Sequence, residues 1–227
     1  MESASLRELH SNSLWVAETP FRLLGLEVGA RMTVVRLSDS PLLVISPIDL
    51  TPQLRAELDA LGAVRCIIAP NRFHFLSVSE YSKAFPNAAL FIAPGVKVAD
   101  APVSGTLNEH AEALWSDVLD QAIFYGNKME QEVVFFHRNS RTLILTDLCF
   151  NVRRATAPIQ RVAARLLDIN GKFGPSRLFR ITTRDKTTAR ASRERILRWD
   201  FDRVVMAHGE VLESGGKAAM KRALRWL

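Results

Sequence analysis

No run of eighteen apolar residues occurs in this 227-residue sequence, so no segment reads as a membrane-spanning helix. The first ten residues lack an apolar core and a small-residue cleavage site, so no secretory signal is expected. Cysteine is scarce. Cys66 and Cys149 sit singly in apolar strand-like runs, which predicts buried reduced thiols rather than a zinc-binding pair. These absences make a cytoplasmic location the expectation. Gly-x-Ser-x-Gly is missing, as is a Gly-rich phosphate loop ending in Lys, which excludes a nucleophile elbow and a P-loop. Histidine numbers only five, too few for a densely ligated metal centre.

What is present is an ordinary core-forming composition, 48% apolar and 24% charged. It suits a single domain over residues 15–227 after a flexible terminus, residues 1–14. The net charge of +6 is uneven. Between Val152 and Arg198 there are 13 Lys and Arg against 3 Asp and Glu, while the remainder carries 17 against 21. Such a segment suits an anionic substrate, anionic lipid, nucleic acid, or simply a solvated helical face. Phe173 and Phe179 are its only rings, without the aromatic interleaving of single-strand binders, so nucleic acid is not the expected partner. A small anionic substrate is. Oligomeric state is left open.

Strands and helices alternate along the chain. Arg31–Leu37 alternates with β-branched residues, turns at Ser38–Pro41 and returns as Leu42–Ile45. Thr51, Pro52 and Gly62 punctuate a helix carrying Leu54, Leu58 and Leu61 on one face. Val64–Ala69 and Ala88–Ala93 read as buried strands separated by a helix over Ser77–Phe85. Asn108–Ile123, Ala157–Asp168, Thr187–Trp199 and Gly216–Trp226 have helical spacing. Glu132–His137 and Thr142–Leu148 read as a hairpin, and Val204–Ala207 as a last strand. Two strand-rich halves, each with helices, predict two sheets covered on their outer faces.

Two residues stand out against this pattern. Asp147 closes an apolar strand, and His208 closes another just before Gly209. A ligand-type side chain at a strand's C-terminal end is how sheet-based metalloenzymes present their donors. Either residue could instead be a satisfied core group, Asp147 on backbone N–H groups or an Arg, and His208 on Asp147 itself. His74 lies between Phe73 and Phe75, a setting that suits packing as well as ligation. Glu130 and Glu132 read as solvated strand-edge carboxylates.

The segments Gly29–Leu37, Ser46–Pro52, Ile67–Asn71 with His74, Phe85–Ala88, Phe135–Leu148 and Ala207–Gly209 together resemble the DUF4336 family. That family is a divergent branch of the metallo-β-lactamase-fold superfamily. The resemblance spans Trp15 to Leu227 and implies an αββα sandwich, with two mixed sheets packed face to face and helices outside. It also implies one or two metal ions between the sheets, usually zinc, sometimes iron or manganese.

The superfamily's His-x-His-x-Asp-His box falls on Pro70–Phe75, where His74 alone remains. The bridging aspartate matches Asp147 and the last histidine matches His208. The mid-chain ligand would fall near Phe124–Glu130, which has no histidine; His137 is a weaker candidate for a site residue. Three of seven positions are filled. His74, Asp147 and His208 would hold one divalent ion, zinc or iron, with open positions. Asn71 and Arg72 stand where ligands are lost. Arg72 would either replace the cation beside Asp147 or, with Asn71, bind substrate. Two functions follow. One is a metal-dependent hydrolase of an ester, thioester or phosphoester with a mononuclear site and catalytic residues unassigned. The other is a metal-free, non-catalytic binding or scaffold protein.

Overall fold

The computed structural model describes residues 4–153 and 158–227. In chain order the first half contains β1 (Leu6–His10), β2 (Leu14–Thr19), β3 (Arg22–Leu23), β4 (Leu26–Glu27), β5 (Ala30–Arg36), β6 (Leu42–Ile45), α1 (Pro52–Leu61), β7 (Val64–Ala69), α2 (Val78–Ala84), β8 (Ala89–Ile92) and β9 (Gly105–Thr106). The second contains β10 (Leu119–Phe124), β11 (Glu132–His137), β12 (Thr142–Ile144), β13 (Phe150–Asn151), α3 (Pro158–Leu166), β14 (Phe173–Gly174), α4 (Arg177–Thr182), α5 (Lys186–Arg198), β15 (Arg203–Val205) and α6 (Gly216–Ala223).

The larger sheet runs β1-β2-β5-β6-β7-β8-β9, antiparallel as far as β6 and parallel from there on. The smaller runs β10-β11-β12-β15, with β12 and β15 parallel. Period-two alternation in the smaller sheet buries both of its faces. Ile123, Val133, Phe135 and Ile144 join the core of the larger sheet. Ala122, Phe124, Val134, Phe136 and Leu143 pack instead against Ala189 and Ile196 of α5 and Met220 of α6. On the larger sheet, Leu54 and Leu58 of α1 and Val78 and Tyr81 of α2 enter the core. Thr51 Oγ1 accepts from Leu54 N at 3.1 Å and caps α1. The result is the expected pair of mixed sheets with helices packed on them.

Three elements differ from their sequence reading. Residues 1–14 were expected as a flexible terminus; residues 1–3 lie outside the described residues, and Leu6–His10 form β1, which pairs antiparallel with β2 and extends the larger sheet. Asn108–Ile123 is not a helix. Buried Trp115 donates to Gln121 Oε1, whose own amide donates to the Asn108 and His110 carbonyls, fixing turns that lead into β10. The ladder of β12 stops at Ile144, short of Leu148, because the N–H groups of Thr146, Asp147 and Leu148 all turn to the Glu132 carboxylate. The helix expected over Ala157–Asp168 is α3, its first residue lying outside the described residues. Among the described residues no helix is long and apolar enough to cross a membrane.

Candidate metal centre

The parallel pairing of β12 with β15 sends both chains out of the sheet at the same end, and there Asp147 and His208 follow. Across the sandwich β7 ends at Ala69, and Val133 N donates to Pro70 O at 2.9 Å, tying that end of the larger sheet to the start of β11. The loop beyond Pro70 carries His74. Strand ends from both sheets thus converge on one carboxylate.

His74 Nε2 lies 3.1 Å from Asp147 Oδ2, and His208 Nε2 lies 3.3 Å from Asp147 Oδ1. One ligand atom from each of the three residues falls within 4.8 Å of the others. Each imidazole is held from behind. His208 Nδ1 donates to the Gly29 carbonyl at 2.5 Å, and His74 Nδ1 meets Ser46 Oγ at 2.7 Å. Ser46 takes φ = 56°, a left-handed conformation few non-glycine residues adopt, at the end of β6. A neutral His208 ring that donates from Nδ1 aims a lone pair from Nε2 at a carboxylate oxygen. Two acceptors at that distance require a proton or a cation between them.

His208 stacks on Phe150, with ring centroids 5.2 Å apart and 10° between planes. Arg31, buried in the β5 strand, donates to the carbonyls of Met206 and Gly209 on either side of His208. Gly209 takes φ = 85°, and a Cβ there would lie 2.2 Å from the Asn151 carbonyl oxygen. Only glycine fits that turn.

Asn71 is fully buried and organises the loop. Its Oδ1 accepts from the N–H groups of Phe73 (2.8 Å) and His74 (2.9 Å). Its Nδ2 faces Asp147 Oδ2 (2.8 Å), Thr146 Oγ1 (2.9 Å) and Glu130 Oε1 (3.0 Å). Glu132, also fully buried, accepts from three consecutive backbone N–H groups at 2.7–2.8 Å. Burial, and then the neighbouring Asp147 charge, raises the carboxyls of both Glu130 and Glu132 above the usual range. Burial would raise Asp147 too, but His74 and His208 outweigh it and hold that carboxyl well below its usual value. Burial pulls His74 down, yet Asp147 more than compensates and its imidazole is raised.

Of the sequence candidates, His74, Asp147 and His208 come together and Asn71 reaches them. The Asn71 amide is used on the protein's own groups. Arg72 is exposed and its guanidinium lies against Gly95, so Asn71, not Arg72, is the loop's partner for Asp147. His137 lies apart, its Nδ1 2.6 Å from Ser140 Oγ and its ring beside His10. Glu130 and Glu132 are not solvated edge residues but buried supports of Asp147. The signal for Glu132 was its place at the head of a strand otherwise apolar on both faces.

Ser46, His74, Glu130, Asp147 and His208 form the floor of a cleft of about 530 Å³. Among the described residues, the basic segment contributes Leu167, Ile169, Ser176, Leu178, Phe179 and Thr182 to its wall, all neutral. Arg180 and Lys172 of that segment pair with Asp168.

A sandwich of two mixed sheets with candidate ligands at the strand ends is the architecture of metallo-β-lactamases. The chain superposes on a metallo-β-lactamase from Pontibacter korlensis with a TM-score of 0.66 at 11% identity, covering 98% of each chain. It matches a metallo-β-lactamase from Erythrobacter litoralis with a TM-score of 0.63 at 13% identity, over 98% of this chain and 91% of that one. Metallo-β-lactamase IND-7 gives 0.65 at 10% identity, over 99% and 98%. At these identities the likeness is one of fold. The chain belongs to the DUF4336 family, whose model, described as a domain of unknown function, matches residues 11–172. A comparison with curated proteins found no match.

Proposed function

We propose that the protein is a hydrolase of metallo-β-lactamase fold with a single divalent ion held by His74, Asp147 and His208. The observation that carries this reading is the pair of Nε2 atoms aimed at one carboxylate, each ring held at Nδ1 by an outer partner. That is the arrangement by which metal-binding histidines are fixed in tautomer and direction. The donor set fits zinc or iron and leaves positions for water and substrate. The ion would supply Lewis acidity to a substrate carbonyl or phosphoryl oxygen and make water a stronger acid. The chain's own residues orient the donors. Glu132 fixes the backbone at Asp147, Asn71 fixes its carboxylate, and Arg31 fixes the His208 turn.

The acidic group formed by Glu130, Glu132 and Asp147 does not offer a second site of equal quality. Glu132 already accepts three N–H groups, and burial beside Asp147 raises both glutamates above the usual carboxylate range, which weakens them as ligands. A second reading, a metal-free binding protein, draws support from the Asn71 amide on Asp147 Oδ2 and from the raised His74, which together balance the carboxylate without an ion.

Calorimetric titration of zinc into chelator-treated protein separates the two. About one site per chain, lost in Asp147→Ala and His208→Ala, together with ester hydrolysis that needs the ion, supports the hydrolase. Heat no different from buffer dilution in the wild type would leave the metal-free reading.

A further inference from the structure

The cleft above the metal centre differs in chemistry from its floor. Reactive and polar groups gather at one end, at Ser46, His74, Asp147 and His208. The walls are apolar, and five large side chains on them remain exposed: Phe21, Phe73, Leu76, Met129 and Leu178. Leu76 is 78% exposed and Phe73 and Leu178 each 50%. Side chains this apolar, contiguous around one opening, mark a surface that something apolar covers. They come from different parts of the chain: the β2–β3 connection, the His74 loop, the segment before β11, and α4. Among the described residues no Lys or Arg lines the cleft, and the carboxyls that do are Asp49, Glu130 and Asp147. The cavity, about 530 Å³, is within the usual range for a small-molecule site.

We infer that this cleft binds a neutral, single-chain amphiphile, an uncharged acyl ester in chemical class, with its hydrocarbon along the apolar walls and its carbonyl at the His74, Asp147 and His208 end. The assignment of the reactive end rests on the metal-site reading; the binding of the chain does not. An anionic head is disfavoured in the metal-free protein because no Lys or Arg of the described lining faces it and the His74 and His208 rings are already turned to Asp147. Hydrolysis would add water across the ester C–O bond and yield a carboxylic acid and an alcohol.

The test is direct binding to full-length, chelator-treated protein, so that it does not depend on activity or on the ion. The probe is the neutral fluorophore N-phenyl-1-naphthylamine, displaced by straight-chain alkanols from hexanol to decanol and by the matching fatty acids at about pH 8. Affinity for the alkanols should tighten by about fourfold per added methylene, the increment of burying one CH₂. The fatty acids should bind about tenfold more weakly at equal chain length. Leu178→Gln and Phe73→Gln, both at exposed positions and so compatible with folding, should each weaken decanol about fivefold without changing the melting temperature. Alkanol affinity independent of chain length, fatty acids binding as tightly as alkanols, or no effect of either substitution would overturn the inference. Zinc binding measured on the same protein identifies a failure of the metal reading separately.

Discussion

Each oxygen of the Asp147 carboxylate is met by a side chain from a different strand end. Oδ1 faces His208 beyond β15, and Oδ2 faces Asn71 and His74 beyond β7. That convergence makes the surrounding residues testable one at a time. Ser46→Gly removes the hydroxyl behind His74 while suiting the left-handed backbone, so stability should change little. Zinc affinity should fall by roughly 10–100-fold, the usual cost of losing an outer partner of a ligating histidine; a calorimetric Kd equal to wild type would contradict this. Asn71→Ala leaves two N–H donors and several acceptors without their buried partner. It should cost about 2–4 kcal/mol in urea unfolding, and a loss under about 0.5 kcal/mol would count against the loop's dependence on Asn71. His137 is lowered to about 4 by burial and by the neighbouring His10. Its ring resonances in NMR should stay flat from pH 7 to about pH 5, and a midpoint near 6.5 would be inconsistent with its burial.

At the level of elements, the parallel β12–β15 pair and the turn after it decide where His208 goes. Gly209→Ala drives a methyl into the Asn151 backbone and requires a φ that alanine resists. It should destabilise the fold by at least about 2 kcal/mol and lower zinc uptake together with it. Loss of zinc with unchanged stability would mean that the turn tolerates a Cβ. The same elements mark what could be read from sequence. β-branched alternation gave β5 and β6, cap residues gave α1, and apolar runs ending in Asp and His gave the β12 and β15 ends with their candidate ligands. What escaped notice depended on distant partners. β1 is polar in sequence and is a strand only because β2 offers it an edge. Asn108–Ile123 has helical spacing, but Gln121 binds carbonyls eleven and thirteen residues earlier. Glu132 looks like an edge residue until the loop fourteen to sixteen residues later folds over its carboxylate. Arg72 was read by charge alone, and the direction a side chain takes is not written in charge.

For the molecule as a whole, the His74, Asp147 and His208 cluster joins the two sheets, so its protonation and the fold are linked. His74 is raised above its ordinary 6.5 in the metal-free protein, so the unfolded chain gives up that proton first. Its stabilisation is complete below about pH 6.5 and is lost as pH rises through the folded value. Glu130 and Glu132, also raised, act in the same direction from about pH 4.5 upward. Asp147, lowered, acts oppositely and loses its contribution as pH falls below about 4. The denaturation midpoint of metal-free protein should therefore fall as pH rises above about 6.5. Saturating zinc, which needs unprotonated rings, should flatten or reverse that trend. A metal-free midpoint that rises with pH there would contradict the assignment.

Whether the converging strand ends carry an ion is settled most directly by elemental mass spectrometry. The sample is full-length protein purified without a metal-affinity column, beside Asp147→Ala and His208→Ala. About one zinc or iron per chain in the wild type, falling below about a tenth in both variants, is the expected result. Wild-type protein that stays below about a tenth of an ion per chain, even after incubation with zinc and iron, would contradict it.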